Sequence, residues 1–246
     1  MSTAACYVLH YGAEWLNWSM RSVRDLVDDI FVFYSPTPSH GHSTAMVCPE
    51  SRDALYTMAR LHRAFWHDCG PFGWEGQHRD FAYGKLQEAG YDQILVVDAD
   101  ELWDPEMLYP LLKDAAKMEE RNVCVGARHF WRSLKWICDD QCAPVRIINT
   151  KKQGGTKYYP LDSAKFLHMG YAQSSRIIKY KMDIHGHKGE IRPNWFENIF
   201  LKWRPGVIDV HPTNDKNFWE PRPFVDDGTL LYLANDHPYW GKDIIE

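Results

Sequence analysis

The segment at residues 94–105, ILVVDADELWDP, constrains the fold more than any other part of the sequence. Four apolar residues lead directly into Asp98, Asp100 and Glu101. An apolar run without alternation is typical of a strand that is covered on both faces, as in the parallel sheets of α/β proteins. Ligands of such sheets bind at the carboxyl ends of the strands. The segment therefore predicts a buried strand that delivers three acids to a ligand site.

The segments around this strand alternate between strand and helix patterns. Gly90 follows one helical segment, in a position suited to a left-handed helix end. Asp104 and Pro105 are a typical helix start, with an acid as N-cap and proline at the first helical position. The alternation predicts an α/β fold with a mostly parallel central sheet flanked by helices. The predicted strands are ACYVLHYG, IFVFYS and QILVV, and the predicted helices are EWLNWSMRSVRDLVDD, residues 51–67 and HRDFAYGKLQEA.

Composition narrows the class of protein. A chain of 246 residues that is 45% hydrophobic can bury a sizeable core, and we predict one domain over residues 1–246. Neither a signal peptide nor an 18-residue apolar stretch is present, which predicts a soluble, cytoplasmic protein. The six cysteines lack CxxC spacing, which favours free thiols over disulfides or a zinc site.

The acids at the strand end suit a divalent cation. In extended backbone Asp98 and Asp100 point to one side and Glu101 to the other. Two carboxylates on one side are a site for Mg²⁺ or Mn²⁺, which fill their other positions with water and phosphate oxygens. A solvated acidic turn is the alternative. An EF-hand calcium loop does not fit, because its sixth and twelfth positions, which need Gly and Glu, hold Trp103 and Tyr109.

The stretch VVDADELW resembles the DxD motif of GT-A glycosyltransferases, and the preceding SVRDLVDDIFVFYS and HRDFAYGKLQEAGYDQILVVDADE are similar to family 2-like members. The resemblance covers about residues 5–110 well. It implies a GT-A-like (Rossmann-like) fold with a nucleotide-sugar-binding half over about 1–120, and an acceptor-binding half with a C-terminal tail over about 121–246. It also implies transfer of a sugar from a nucleotide diphosphate sugar, with a UDP-sugar as the expected donor, to a hydroxyl group with inversion.

The same resemblance implies roles for individual residues. Asp98 contacts the ribose or sugar of the donor, Arg79 approaches the diphosphate, and the other donor-binding residues surround the base and ribose. Asp100 and Asp98 hold Mn²⁺ or Mg²⁺, which stabilises the charge of the departing diphosphate as a Lewis acid. The implied donor-binding residues are His10, Tyr11, Ser35, Pro36, Arg79 and Asp98.

GT-A enzymes commonly add a histidine from later in the chain to the metal. His168 is favoured, because its apolar approach and a nearby glycine resemble the strand that delivers such a ligand. His185 and His187, whose rings share one side of a strand, are the next candidates, followed by His211. Histidines that only form hydrogen bonds, or a zinc site of three histidines, stay as alternatives.

An inverting transfer needs a carboxylate that takes the proton of the acceptor hydroxyl. Asp140, with Asp139 beside it in CDDQC, is favoured, because neighbouring carboxylates help to keep one of them basic near neutral pH. Asp183 and Glu190 are alternatives, and a surface acidic loop is the non-catalytic interpretation of CDDQC.

The acceptor is predicted from charge. Residues 146–188 hold nine Lys and Arg against two Asp, a net charge of +7, while the whole chain has −5 and the remainder therefore −12. A basic band is typical of polyanion binding. If the polyanion is nucleic acid, the resemblance to glycosyltransferases, some of which modify bacteriophage DNA, implies hydroxymethylated bases of that DNA as the leading acceptor. A bacterial surface glycan, a lipid-linked sugar or a protein hydroxyl are alternatives. A metal-dependent hydrolase or nuclease, or a non-catalytic carbohydrate-binding module, are alternatives of another class.

Overall fold

The structure is a computed structural model that describes residues 1–38, 47–139, 143–160, 164–184, 186, 188–213 and 219–246. The strands are β1 (Thr3–Leu9), β2 (Asp29–Tyr34), β3 (Phe65–Asp68), β4 (Gln93–Val97), β5 (Glu101–Leu102), β6 (Asn122–Cys124), β7 (Gly126–Trp131), β8 (Trp136–Asp139), β9 (Val145–Asn149), β10 (Thr156–Tyr158), β11 (Lys165–Tyr171) and β12 (Arg222–Pro223). The α-helices are α1 (Leu16–Val23), α2 (Arg52–Leu61), α3 (Glu75–Glu88), α4 (Pro105–Lys117), α5 (Ser175–Asp183) and α6 (Thr229–Ala234).

The larger sheet has seven strands in the order β10-β6-β9-β4-β1-β2-β3. β1 pairs in parallel with β2 and β4, β2 with β3, and β10 with β6, whereas β9 runs antiparallel to β4 and β6. The predicted α/β class, with a mostly parallel central sheet flanked by helices, is confirmed. This sheet takes strands from both sides of residue 120.

Strand β4 lies at the centre of this sheet, and all five of its residues are buried. Leu95 and Val97 belong to the core cluster that includes residues of α1, α2 and α4. Ile94 and Val96 belong to a second cluster on the other face, with Ala82 of α3. Because both faces are covered by apolar groups, the strand is continuously apolar rather than alternating, as predicted.

The predicted end signals of two helices, at Asp104 and at Gly90, are confirmed. The Asp104 side chain accepts a hydrogen bond from the Glu106 backbone N–H at 3.0 Å, and Pro105 is the first residue of α4. Helix α3 ends at Glu88, and Gly90 follows with a φ of +88°.

The helix predicted over residues 51–67 is wrong at its end. Helix α2 stops at Leu61, Arg63 has a φ of +55°, and β3 begins at Phe65. β3 pairs in parallel with β2 at the edge of the sheet. This long-range pairing outweighs the helical pattern of the segment, because local propensity is weaker than tertiary context.

The smaller sheet has five strands in the order β12-β8-β7-β11-β5. Its edge strand β5 begins at Glu101, the last acid of the DADE segment, and runs antiparallel to β11. β11 is in turn parallel to β7. The acids therefore lie where the chain passes from the larger sheet to the smaller one.

Two further features bear on the predictions from composition. Cys6, Cys48, Cys69, Cys124 and Cys138 are free thiols, and Cys142 lies outside the described residues. In the part of the chain that the structure describes, no helix combines the length and the apolar character that a membrane span requires.

Candidate active site

A cleft of about 390 Å³ opens at the carboxyl ends of β1 and β4. The first turns of α3 and residues of β11 and α5 complete its wall. The topology thus brings together residues that are up to 178 positions apart in the sequence, from Val8 to Gly186. Six residues predicted from the sequence line the cleft: His10, Tyr11, Arg79, Asp98, Asp100 and His168.

The acidic segment forms a tight turn rather than extended backbone. The Glu101 N–H donates a hydrogen bond to the Asp98 carbonyl at 3.1 Å. The Arg146 guanidinium contacts both side chains, at 2.7 Å from Asp98 Oδ2 and through Nη2 to Glu101 Oε1. The prediction that Glu101 points away from Asp98 is therefore wrong, because the two-residue periodicity of a strand does not hold across a turn.

Arginines compensate the charge of Asp98. Arg79 Nη2 lies 3.4 Å from Asp98 Oδ1, opposite the contact with Arg146. Burial by itself raises the pKa of Asp98, but Arg146 and Arg79 outweigh it and hold this pKa below its usual value. Burial and the two neighbouring aspartates raise the pKa of Glu101 to about 8 against the opposing effect of Arg146.

Asp100 has a different set of partners. Gln173 Nε2 donates a hydrogen bond to Oδ2 at 2.9 Å, and Lys181 Nζ lies 3.7 Å from the same oxygen. His168 Nε2 lies 3.4 Å from Oδ1. Burial raises the pKa of Asp100, but His168 and Lys181 outweigh it and the carboxyl is ionised at neutral pH.

Asp100 and His168 fit a divalent cation better than Asp98 does. Two ligand atoms that share an ion at 2.0–2.2 Å lie about 3.0–3.5 Å apart, depending on the coordination angle. The 3.4 Å between Asp100 Oδ1 and His168 Nε2 matches that spacing. Both oxygens of Asp98 are engaged by arginines. Among the described residues no group of three or more His, Cys, Asp or Glu is placed to hold a metal, so water and phosphate oxygens would complete the coordination.

The other candidate histidines differ in their placement. His185 and His187 lie outside the described residues. The His211 ring packs edge-on against Trp219 at 4.5 Å and forms a hydrogen bond with Thr213 Oγ1 at 3.0 Å. His211 does not line the cleft.

Aromatic side chains form the wall of the cleft beside β1. His10 Nδ1–H donates a hydrogen bond to the Ser35 carbonyl at 2.9 Å, and His10 Nε2 accepts one from the Tyr180 hydroxyl at 2.6 Å. Burial lowers the pKa of His10, against the opposing effect of the bond to Ser35, so the ring is neutral. The Tyr11 ring lies edge-on to the Tyr180 ring at 5.7 Å.

Ser35 and Pro36 are placed differently from the other predicted donor residues. Ser35 is fully buried and reaches the site only through its bond to His10, while Pro36 is exposed. Neither lines the cleft, and the residue of this loop that does so is Pro38.

A close backbone contact shapes the floor of the cleft. Gly12 has a φ of +132°, and a Cβ there would lie 2.3 Å from the Ala99 Cβ. The Glu50 carboxylate accepts hydrogen bonds from the N–H groups of Gly12 and Ala13 at 2.6 and 2.8 Å. The loop after β1 is therefore pressed against the acidic turn, which only glycine permits.

Of the four candidate catalytic bases, the structure describes the side chains of Asp183 and Glu190. Asp140 lies outside the described residues, as does the side chain of Asp139, whose backbone ends β8. Asp183 is 3.2 Å from Lys179 Nζ, and Glu190 is in an exposed 3₁₀ turn. Neither Asp183 nor Glu190 lines the cleft.

Sequence reasoning missed the site roles of Arg146, Lys181, Gln173 and Tyr180. The sequence places Arg146 and Lys181 in the basic band and assigns them no role in the site. A signal for Arg146 was present, because an arginine within the apolar run VRII requires a buried acidic partner. Lys181, Gln173 and Tyr180 had no comparable signal, since they reach the cleft only through the packing of β11 and α5.

The basic band at residues 146–188 does not form one free basic surface. At least five of its nine basic residues make ion pairs, and one of them, Lys181, lines the cleft. The pairs are Arg146 with Asp98 and Glu101, Lys181 with Asp100, Lys151 with Asp92, Lys152 with Glu119, and Lys179 with Asp183.

No protein-family model and no curated protein matches the chain. Among solved structures, it is similar to glucosyl-3-phosphoglycerate synthase from Mycobacterium tuberculosis, crystallised with Mn²⁺, UDP and phosphoglyceric acid, with 14% identity and a TM-score of 0.36 over 53% of this chain and 43% of that one. It is also similar to S. aureus TarS 1-349, with 11% identity and a TM-score of 0.44 over 75% of this chain and 64% of that one.

A third similar structure is 4-diphosphocytidyl-2C-methyl-D-erythritol synthase, with 14% identity and a TM-score of 0.38 over 61% of this chain and 75% of that one. The chain thus covers less than two thirds of the length of the first two proteins. These likenesses are low, and the function is therefore inferred from the site itself.

Proposed function

We propose that the chain is a glycosyltransferase of GT-A-like fold, which moves a sugar from a UDP-sugar to an acceptor hydroxyl with the help of Mn²⁺ or Mg²⁺. The observation that carries the proposal is the pair of Asp100 Oδ1 and His168 Nε2, 3.4 Å apart in the cleft where β4 ends. We further propose that about residues 1–120 bind the donor, with His168 and Lys181 from the later half completing that site, and that the rest of about 121–246 binds the acceptor.

The walls of the cleft suit the parts of a nucleotide sugar. A volume of about 390 Å³ is within the range of small-molecule sites. The rings of His10 and Tyr11 offer an apolar wall for the base and ribose, while Arg79 and Lys181 offer cations for the diphosphate. Arginine and lysine are the usual partners of phosphate oxygens.

The proposed sugar transfer needs groups that stabilise the negative charge that develops on the departing diphosphate. A divalent cation held by Asp100 and His168 would act as a Lewis acid on the departing diphosphate. Lys181 and Arg79 are placed to stabilise the same charge electrostatically. Asp98, fixed between two arginines, is an oriented acceptor for donor hydroxyls rather than a base. We keep Asp140, with Asp139 beside it, as the proposed base of an inverting transfer.

The test is a panel of nucleotide sugars scored for metal-stimulated release of nucleoside diphosphate. We expect Asp100→Ala to reduce turnover at least about 100-fold, because the cation loses its anionic ligand. Asp114→Ala, on the exposed side of α4, is the matched control and should keep full turnover. Circular dichroism should show that both variants are folded. Unchanged turnover of Asp100→Ala would overturn the proposal.

For the acceptor we propose hydroxymethylated bases of bacteriophage DNA, supported by the net charge of +7 at residues 146–188. The ion pairs of this segment reduce the charge that it offers to a polyanion. The donor panel should therefore be repeated with hydroxymethylated DNA, unmodified DNA, a bacterial surface glycan, a lipid-linked sugar and a protein. Sugar transfer to any acceptor other than hydroxymethylated DNA would replace this part of the proposal.

A metal-dependent hydrolase or nuclease is the second candidate, since Asp98, Asp100 and His168 also suit that chemistry. Two-metal hydrolases need ligands that converge from several elements. The described residues supply the pair of Asp100 and His168, with Asp98 bound by arginines. Cleavage of DNA in the absence of any sugar donor would favour the hydrolase.

A further inference from the structure

We propose that His129 is a positioning residue for the cation site: it holds the His168 imidazole in the tautomer with the proton on Nδ1, so that the Nε2 lone pair faces Asp100. This inference rests on the proposed function, because it gives His129 a role only if a cation binds between Asp100 and His168.

The two histidines come together through strand register. His129 of β7 and His168 of β11 are partners on adjacent parallel strands, so their side chains leave the same face of the smaller sheet. Their Nδ1 atoms lie 2.7 Å apart, and the ring planes are inclined by 74°. Two ring nitrogens at this distance share one proton, since two lone pairs or two N–H groups would repel each other.

The position of that shared proton decides what His168 presents to Asp100. If His129 donates, neutral His168 carries its proton on Nε2 and points it at Asp100 Oδ1. The observed 3.4 Å is longer than the 2.7–3.2 Å of an ordinary N–H···O hydrogen bond. If His168 donates, Nε2 either carries a second proton, as an imidazolium that faces the Asp100 carboxylate, or presents its lone pair there, and 3.4 Å is then the spacing of two ligands on one ion. The second arrangement fits the geometry.

Packing fixes both rings in these positions. The His129 ring lies against the Trp219 ring, with centroids 5.0 Å apart. A Cβ on Gly170 would lie 2.6 Å from His168 Cε1 and 2.7 Å from Nε2, so the glycine leaves the space that the ring occupies. The His168 ring thus lies between the hydrogen-bond acceptor His129 on β7 and Gly170 on its own strand, which has no side chain.

Metal-binding histidines generally donate their second ring N–H to a fixed acceptor, and loss of that acceptor typically weakens metal affinity by about 10–100-fold. Usually the acceptor is a carboxylate, a carbonyl or water. Here the Nδ1 atom of a second, neutral histidine takes that place. Unlike a carboxylate, it adds no negative charge to a site that already contains Asp98 and Asp100.

The first experiment measures the tautomer directly in the full chain, without metal. Long-range ¹H–¹⁵N spectra of the histidine rings, assigned with His168→Gln, should show His168 protonated on Nδ1. A proton on Nε2 instead would overturn the inference. This readout does not depend on catalytic activity or on the identity of the donor.

The second experiment measures Mn²⁺ affinity by calorimetry. We expect His129→Phe to weaken binding about 10–100-fold. His129→Asn, whose amide oxygen can accept the same proton, should stay within about threefold of the native protein. A purely packing role for His129 would favour Phe over Asn, because Phe keeps the ring against Trp219.

The outcomes separate the inference from the proposed function. Equal Mn²⁺ affinity of the native protein and His129→Phe would overturn the inference alone. Absence of Mn²⁺ and UDP binding by the native protein would overturn the proposed function and, with it, the role of His129. Melting temperatures of both variants show whether a loss of affinity reflects unfolding.

Discussion

Replacement of Arg146 by methionine is the sharpest test of the charge arrangement in the site. The Arg146 side chain is 6% exposed, and its partners Glu101 and Asp98 are 0% and 31% exposed. At a pH above 8, where the Glu101 carboxyl is ionised, methionine keeps most of the volume but leaves that charge buried beside Asp98 without a cation. Removal of one partner from a buried ion pair costs about 3–5 kcal/mol. For a chain of this length that corresponds to a fall of roughly 6–20 °C in melting temperature.

The assay is equilibrium unfolding in urea, with the free energy of unfolding taken from the midpoint and slope. Arg146→Met combined with Glu101→Gln should recover a large part of the loss, because a neutral amide needs no counter-charge. Asp98 is partly exposed and keeps its contact with Arg79, so it contributes less to the loss.

The matched control is Lys151→Met. Lys151 also pairs with an aspartate, Asp92, but its side chain is 76% exposed. Exposed ion pairs contribute about 0–1 kcal/mol. If Arg146→Met costs no more than Lys151→Met, the assignment of a buried and coupled charge group at the acidic turn is refuted.

Three further predictions concern the cleft and the pH dependence of stability. Gly12→Ala should cost about 1–3 kcal/mol in urea unfolding and weaken UDP binding, because its Cβ would overlap that of Ala99; unchanged values of both would contradict the close contact. Burial lowers the pKa of His237 to about 4, and its Nδ1 accepts the Tyr239 N–H at 3.0 Å. The unfolded chain takes up a proton on His237 more readily than the folded chain does. The stability that neutral His237 contributes is therefore complete above about pH 6.5 and is lost as the pH falls towards 4. His237→Asn should remove about 3 kcal/mol of this pH dependence of stability. An equal loss of unfolding free energy in the native protein and in His237→Asn between pH 6.5 and 4 would contradict this role of His237. Lys181→Met should strengthen Mn²⁺ binding in the absence of nucleotide and weaken UDP binding, since the ammonium repels the ion and attracts the diphosphate; calorimetry that shows both affinities moving in the same direction would contradict its placement.

The location of the cleft could be predicted because it depends on local patterns. The continuous apolar run of β4, covered by two core clusters, marks a central strand, and the acids that follow it mark the carboxyl edge. Side chains predicted from separate segments, such as His10, Arg79 and His168, line one cleft for the same reason. The start of α4 at Asp104 is likewise a local capping signal.

By itself, the sequence determined which residues are apolar on which face, where helices begin, and which acids leave the central strand, since these depend on neighbours a few positions away. Only the tertiary structure decided the turn that places Glu101 beside Asp98, the pairing of β3 with β2, and the partners of the acids. Arg146 is 48 positions from Asp98, and Lys181 is further from Asp100 still. Strand order and register decide which charged side chains become neighbours. No local pattern specifies this order and register, because they minimise the free energy of the whole chain.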